Sequence, residues 1–209
     1  MANTVDNSKL TDTHLDVLRE IGNIGLGNAA TSLAEMLNKR INMEVPKTKF
    51  VTMEEAMEVV GGLEEVAACV TLRVEGDVPS QILFVFNQAS TLYLVDMLLG
   101  LDKGTTQDLD EMGESVVKEI SNVLTGSFLS AIGTMTQMKM LPQVPMFAYD
   151  MLGAVVSTSL VAGGYIEDHI LMIETVLFEE KEHIKGHFFL ITEDKSLNTL
   201  FQALGLTLK

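Results

Sequence analysis

An acid, an amide and a glycine stand at fixed intervals in this chain, and the set occurs twice. Asp16, Glu20, Asn23 and Gly27 in HLDVLREIGNIGLGN are matched by Ser115, Glu119, Asn122 and Gly126 in ESVVKEISNVLTGS, each pair 99 residues apart. Twenty-three residues after each Asn, with twenty-two between, comes a proline, Pro46 and then Pro145, again 99 apart in a chain with only four prolines. The pattern reads Asp/Ser-x3-Glu-x2-Asn-x22-Pro. A carboxylate accepts hydrogen bonds or pairs with a cation, and an amide offers a donor and an acceptor without titrating. A lone Glu-x2-Asn is an ordinary solvated helix face. Its repetition in register with a distant proline places the centre of function here.

Both copies need a helix to bring these residues together. At about 100° per residue, Asp16, Glu20, Asn23 and Gly27 fall within an arc of roughly 60°, and the second set does the same. The opposite face carries Leu18, Ile21 and Gly25 in the first copy and Val117, Ile120, Leu124 and Phe128 in the second. Each helix thus packs one face inward and presents the motif outward. Glycine within a helix costs about 1 kcal/mol against alanine. On the polar stripe, Gly27 and Gly126 leave room for close approach, while Gly22 and Gly25 lie where they ease helix packing.

The rest of the chain supplies a core. Its 209 residues are 47% hydrophobic, with no apolar run of the 18 or so residues that a membrane span needs. Residues 1–10 read as a disordered lead without the order of a signal peptide. The single cysteine, Cys69, excludes an internal disulfide and fits a reducing compartment, so a cytoplasmic protein is expected. A monomer is expected as well. The net charge of −15 repels nucleic acid and anionic lipid, and no cluster of bases is seen to clamp a free phosphate ester.

Taken in order, the chain predicts a first motif helix capped by Thr11 or Thr13 and running to about Asn38. A strand over 47–52, a short helix MEEAMEVV, strands VAACVTLRV and QILFVF, and a helix ending at Gly100 follow. Residues 101–112 are polar and unpatterned and read as a linker. The same order then returns: motif helix, LPQVPMF, helical DMLGAVVSTSLVAGG, strands HILMIETVLF and GHFFLI, and a helix ending at Gly205. The fold class expected is α+β and internally duplicated. Two half-units, 11–100 and 113–205, related by a pseudo-twofold axis, would share one core with mostly antiparallel strands in a single domain over 11–209. Strand order is not readable.

Other candidates are weak. His14, His169, His183 and His187 are scattered. HIKGH lacks the glutamate of a zinc helix, so His183 and His187 read as surface or edge residues, and no metal site is expected. Cys69 lies in an alternating strand as a small buried hydrophobe. GNIGLGNAA has glycines but not the Lys-Ser/Thr of a phosphate loop. The methionines Met135, Met138, Met140, Met146 and Met151 read as core filling.

The paired motif, its spacing to each proline, and phrases such as LREIGNIGLGNAA, MEVP and DMLGAVV resemble the CheC family of bacterial chemotaxis phosphatases, from about Leu15 to Leu206. With two intact motifs and an end at residue 209, the chain is similar to members that have no flagellar switch domain. The resemblance implies a phosphatase acting on the aspartyl phosphate of the response regulator CheY. That partner would bring its own Mg²⁺ and lysine, so this chain needs no cofactor. Asn23 and Asn122 would orient the attacking water, and Glu20 and Glu119 would pair with the regulator's lysine. Asp16, Ser115, Pro46 and Pro145 would support the surface and the chain beside each helix. The resemblance further implies binding of the receptor deamidase CheD near a helix beginning at Asp150. A non-catalytic module that titrates CheY or CheD, and a structural part of the flagellar switch, remain as alternatives.

Overall fold

The computed structural model describes residues 11–37, 39–163, 170–179, 182–192 and 194–206. The expected lead 1–10, Asn38 at the expected helix end, and His169 lie outside the described residues. The elements are α1 (Asp12–Leu37), β1 (Ile41–Val51), α2 (Met53–Val60), β2 (Val66–Gly76), β3 (Ser80–Asn87) and α3 (Gln88–Leu99), then α4 (Glu111–Thr136), β4 (Met140–Pro142), β5 (Met146–Met151), α5 (Leu152–Gly163), β6 (Ile170–Glu179), β7 (Glu182–Thr192) and α6 (Asp194–Ala203).

Seven strands form one sheet in the order β1-β6-β7-β3-β2, with β4 and β5 both pairing the outer side of β2. Every pairing among the described residues is antiparallel. Helices cover both faces, and that explains the nearly unbroken apolar run of β3. Ile82, Phe84 and Phe86 enter the larger core beneath α1, α3, α4 and α6, whereas Leu83 and Val85 enter the smaller one beneath α2 and α5. The first strand of each half pairs with the second strand of the other, β1 with β6 and β5 with β2. Neither half completes its sheet alone, which is consistent with two half-units sharing one core.

Local chemistry fixes the ends of the elements. Thr52 caps α2 through a reciprocal pair: its hydroxyl accepts from Glu55 N–H while Glu55 accepts from Thr52 N–H at 2.8 Å. Asn87 caps α3, and Gly100 closes it at φ 68°, a left-handed position that favours glycine. At the head of α1, the Thr11 N–H donates to His14 Nδ1 at 3.1 Å, so the imidazole takes the part that a glutamate plays in a capping box.

The two motif helices cross at Gly25. A Cβ there would lie 2.8 Å from the Cα of Phe128, so only glycine permits the approach. Gly25→Val is therefore expected to lower the unfolding free energy by about 1–3 kcal/mol, as overpacking does. Gly27→Ala, where a Cβ meets nothing within 4 Å, should instead gain up to about 1 kcal/mol. Urea unfolding of the two variants checks this, and a harmless valine at position 25 would contradict the close crossing.

Several expectations are corrected. β1 begins at Ile41, ahead of Pro46, because the proline sits at a bulge on an edge strand rather than at a strand start. His187 is not a surface residue: it lies in β7, between β6 and β3, and is 9% exposed. Of the five methionines only Met140 is buried; Met135 is exposed in the last turn of α4, and Met146 and Met151 are exposed because β5 lies at the sheet's edge. Asp150 belongs to β5, and α5 begins at Leu152. The expected linker ends at Asp110, and within it Gly104, Thr105 and Thr106 are held by the Asp96 carboxylate.

Candidate functional site

The motif stripes lie on the outer faces of α1 and α4. Leu18, Ile21, Gly22 and Gly25 of α1 and Val117, Ile120, Leu124 and Phe128 of α4 are buried, and this burial turns the motif residues outward. Asp16, Glu20 and Gly27 are exposed and Asn23 is half-buried; Ser115, Glu119, Asn122 and Gly126 are all exposed. The space over Gly27 and over Gly126 is open.

The spacing from Asn to Pro has a structural reason. After α1 the chain reverses, and β1 runs back along the helix until Val45 lies beside Gly22 and Asn23. The Cβ position of Gly22 is 3.0 Å from Val45 Cγ2. The Val45 N–H donates to Asn23 Oδ1 at 3.0 Å. The pairing of β1 with β6 shifts register between Glu44 and Lys47, so the bulge made at Pro46 releases that N–H from the ladder. Because a backbone N–H only donates, the amide oxygen must face β1 and the NH₂ must face out. Sequence reading identified Asn23 and Pro46 but missed the Val45 N–H that links them; the signal was a proline inside an alternating strand.

The second copy departs here. The strand after α4 is broken between β4 and β5, and Pro145 lies in the break. Gln143 N–H donates to the Arg73 carbonyl at 2.7 Å, while Val144 is 83% exposed. No hydrogen bond among the described residues holds the Asn122 amide as Val45 holds Asn23.

The remaining motif residues divide by their contacts. Asp16 pairs with Arg19 at 2.9 Å, and the Ser115 hydroxyl donates back to the Glu111 carbonyl at 2.9 Å, so both are engaged on their own helices. Glu20 and Glu119 form no ion pair among the described residues and stand open to a partner. Away from the stripes, Asp150 is exposed on the edge strand β5, its Oδ1 accepting from Met151 N–H at 2.7 Å. It borders a groove of about 270 Å³ lined by Phe147, Ala154, Val155 and Thr158. Burial pushes the Cys69 thiol up to about 12, which removes it as a nucleophile. Burial also lowers the pKa of His187, assisted by Lys185 and opposed by Glu174. Among the described residues no helix is long and apolar enough to cross a membrane.

This arrangement of two outward Glu–Asn stripes can be compared with known proteins. The sequence profile of the CheC-like family matches residues 14–49 and 112–149, the two motif helices with the strands that follow them. Over 203 residues the chain is 33% identical to the CheY-P phosphatase CheC of Bacillus subtilis, covering 95% of this chain and 97% of that protein. The chain belongs to the CheC-like family. It is also 27% identical over 131 residues to the flagellar motor switch phosphatase FliY of the same organism, of which it spans 34%. Among solved structures, Thermotoga maritima FliY matches this CheC-like chain with a TM-score of 0.77 at 19% identity, covering 94% of this chain and 98% of that one. A chain of the CheX–CheY–BeF₃–Mg²⁺ complex of Borrelia burgdorferi matches with a TM-score of 0.52 at 15% identity, covering 81% of this chain and 96% of that one. These structural likenesses concern the fold, which is the mixed helical and antiparallel architecture described above.

Proposed function

We propose that the protein hydrolyses the aspartyl phosphate of the response regulator CheY and that each motif helix carries one site. The observation that carries this reading is the pair of Glu-x2-Asn stripes, exposed on both helices of a CheC-like chain, with an open glycine one turn beyond each amide. The protein is an enzyme, a hydrolase working in the cytoplasm as a monomer. Its relative of 33% identity bears the name CheY-P phosphatase.

The chemistry asked of this chain is small. Water attacks phosphorus, the bond to the aspartyl oxygen breaks, and the carboxylate and inorganic phosphate are released. Mg²⁺ and a lysine on the regulator offset charge on the phosphoryl group. What is needed is an oriented water and a fixed pose. The Asn23 NH₂ donates to that water, and the second lone pair of Oδ1 accepts from it, leaving the water's other lone pair for phosphorus. Asn122 does the same on α4. Glu20 and Glu119, one turn earlier, pair with the regulator's lysine. Gly27 and Gly126 let the partner's backbone approach.

Phosphate release from phosphorylated CheY at limiting protein tests the proposal. Many turnovers per protein are expected; release that stops at one equivalent would leave a titrating module instead.

A second partner fits a different surface. We propose that CheD binds around Asp150, a reading supported by an exposed carboxylate flanked by exposed Met146 and Met151. Asp150→Lys is expected to weaken CheD binding about 10-fold or more, as charge reversal at an interface does, while leaving dephosphorylation of CheY intact. Calorimetry with CheD checks this, and unchanged affinity would remove the assignment.

A further inference from the structure

The chain has 14 lysines and arginines, and their placement around the stripes is not random. Between residues 110 and 145 only two bases occur, Lys118 and Lys139, and both fall 99 residues after a base of the first copy, Arg19 and Arg40. The duplication thus repeats a base immediately before each motif glutamate and another seventeen residues after each motif asparagine. A generic solvated helix face would not keep two bases in register while other bases, such as Lys39 opposite Met138, are not kept.

One base of each pair lies within its stripe and the other beyond the C-terminal end of its helix. Arg19 and Asn23 are four residues apart on α1, as are Lys118 and Asn122 on α4, so each cation is a surface neighbour of its amide. Arg19 is 49% exposed beside Asp16, and Lys118 is 36% exposed beside Glu114, its Nζ also 5.6 Å from the Phe147 ring. Exposed ion pairs of this kind contribute about 0–1 kcal/mol, so they do not hold the cations against a stronger partner. At the other end, a groove of about 740 Å³ runs from Gly27 along Thr31 and Glu35 to Arg40, Asn42 and Met43. Arg40 and Lys139 are exposed.

We propose that Arg19 with Arg40, and Lys118 with Lys139, are paired docking cations that seat the anionic, phosphorylated face of a response regulator on each stripe. The inference rests on the proposed function for the identity of the partner. A protein of net charge −15 approaching an aspartyl phosphate meets like-charge repulsion, and local cations within and beyond each stripe offset it and set the direction of docking. The expectation of no basic cluster is amended accordingly: the bases are distributed, one matched pair to each site, with Lys39 also lining the groove of the first.

The test uses the full chain and a response regulator loaded with beryllium fluoride and Mg²⁺, an unhydrolysed stand-in for the phosphoryl group, with affinity read by calorimetry at about 50 and 300 mM salt. Arg40→Glu with Lys139→Glu should weaken binding about 10-fold or more at low salt and flatten its salt dependence. Arg19→Glu with Lys118→Glu should do the same. Arg40→Lys with Lys139→Arg should retain both affinity and salt dependence. Unchanged affinity and salt slope in the two reversed pairs, or loss equally large in the charge-conserving variant, overturns the proposal. Binding is read without turnover, so a wild type that binds but releases no phosphate would sink the phosphatase reading and leave the docking cations standing.

Discussion

Replacing Asn23 and Asn122 together by alanine is expected to remove accelerated dephosphorylation of CheY, lowering turnover about 10²-fold or more, while affinity for the phosphorylated regulator changes little. An amide that orients water acts mainly in the transition state, and loss of such a contact appears in kcat. Stability is not the confounder. Asn122 is exposed, and Asn23→Ala forfeits one hydrogen bond, from Val45 N–H, worth about 1 kcal/mol. Glu20→Ala with Glu119→Ala should differ by weakening affinity as well as turnover, since in the proposed mechanism the carboxylates touch the partner before reaction begins. Each single Asn variant should keep partial activity, but not equally. The Asn23 amide is held in orientation by Val45, whereas Asn122 must be ordered at each encounter at a cost of about 0.5–1.5 kcal/mol. Asn122→Ala is therefore expected to retain about 2- to 10-fold more turnover than Asn23→Ala. A double Asn variant that clears phosphorylated CheY at the wild-type rate would end the catalytic assignment.

The stripes were legible because helix period and residue type together specify a face, and the repeat supplied a second reading of it. Strands β2 and β3 were legible from their apolar runs. The exchange of strands between halves was not, because it depends on pairings such as Ile41 with Glu179 that no local pattern encodes. Pro46 was misread as a boundary since proline ends most ladders, yet an edge strand tolerates it where its missing N–H faces no partner. The methionines of β5 were misread for a related reason: thioethers suit cores and exposed surfaces alike, and only the strand order reveals that β5 is an edge. His187 looked peripheral in HIKGHFF, but β7 lies between β6 and β3, so its side chain is flanked on the sheet face by the paired Glu174 and Val85.

Asp96→Ala is expected to cost about 2–4 kcal/mol of stability, because one carboxylate organises the passage between the two halves. Residues 101–112 read as unpatterned, and the signal that they are ordered lay outside them, in a charge set within the apolar helix LYLVDMLL. Asp96 is 1% exposed. Its Oδ2 accepts from Gly104 N–H at 2.7 Å and Thr105 N–H at 3.2 Å, and its Oδ1 accepts from Thr106 N–H at 2.8 Å. Burial pushes its pKa up, but the bonds from Thr106, Gly104 and Thr105 outweigh it, and the carboxyl lies below its ordinary value. A folded pKa below the unfolded one means that this stabilisation is present above about pH 4 and is lost as pH falls through the folded value. Urea unfolding of wild type and Asp96→Asn should thus differ most near neutrality and converge in acid; a gap independent of pH would mean that the charge is not the source. The same change should reach the second site, since the loop delivers Asp110, whose Oδ1 caps α4 through Gly113 N–H at 2.8 Å. In an Asn23→Ala background, where only α4 is active, Asp96→Ala should lower turnover at the Glu119–Asn122 stripe, whereas in an Asn122→Ala background the α1 site should be spared.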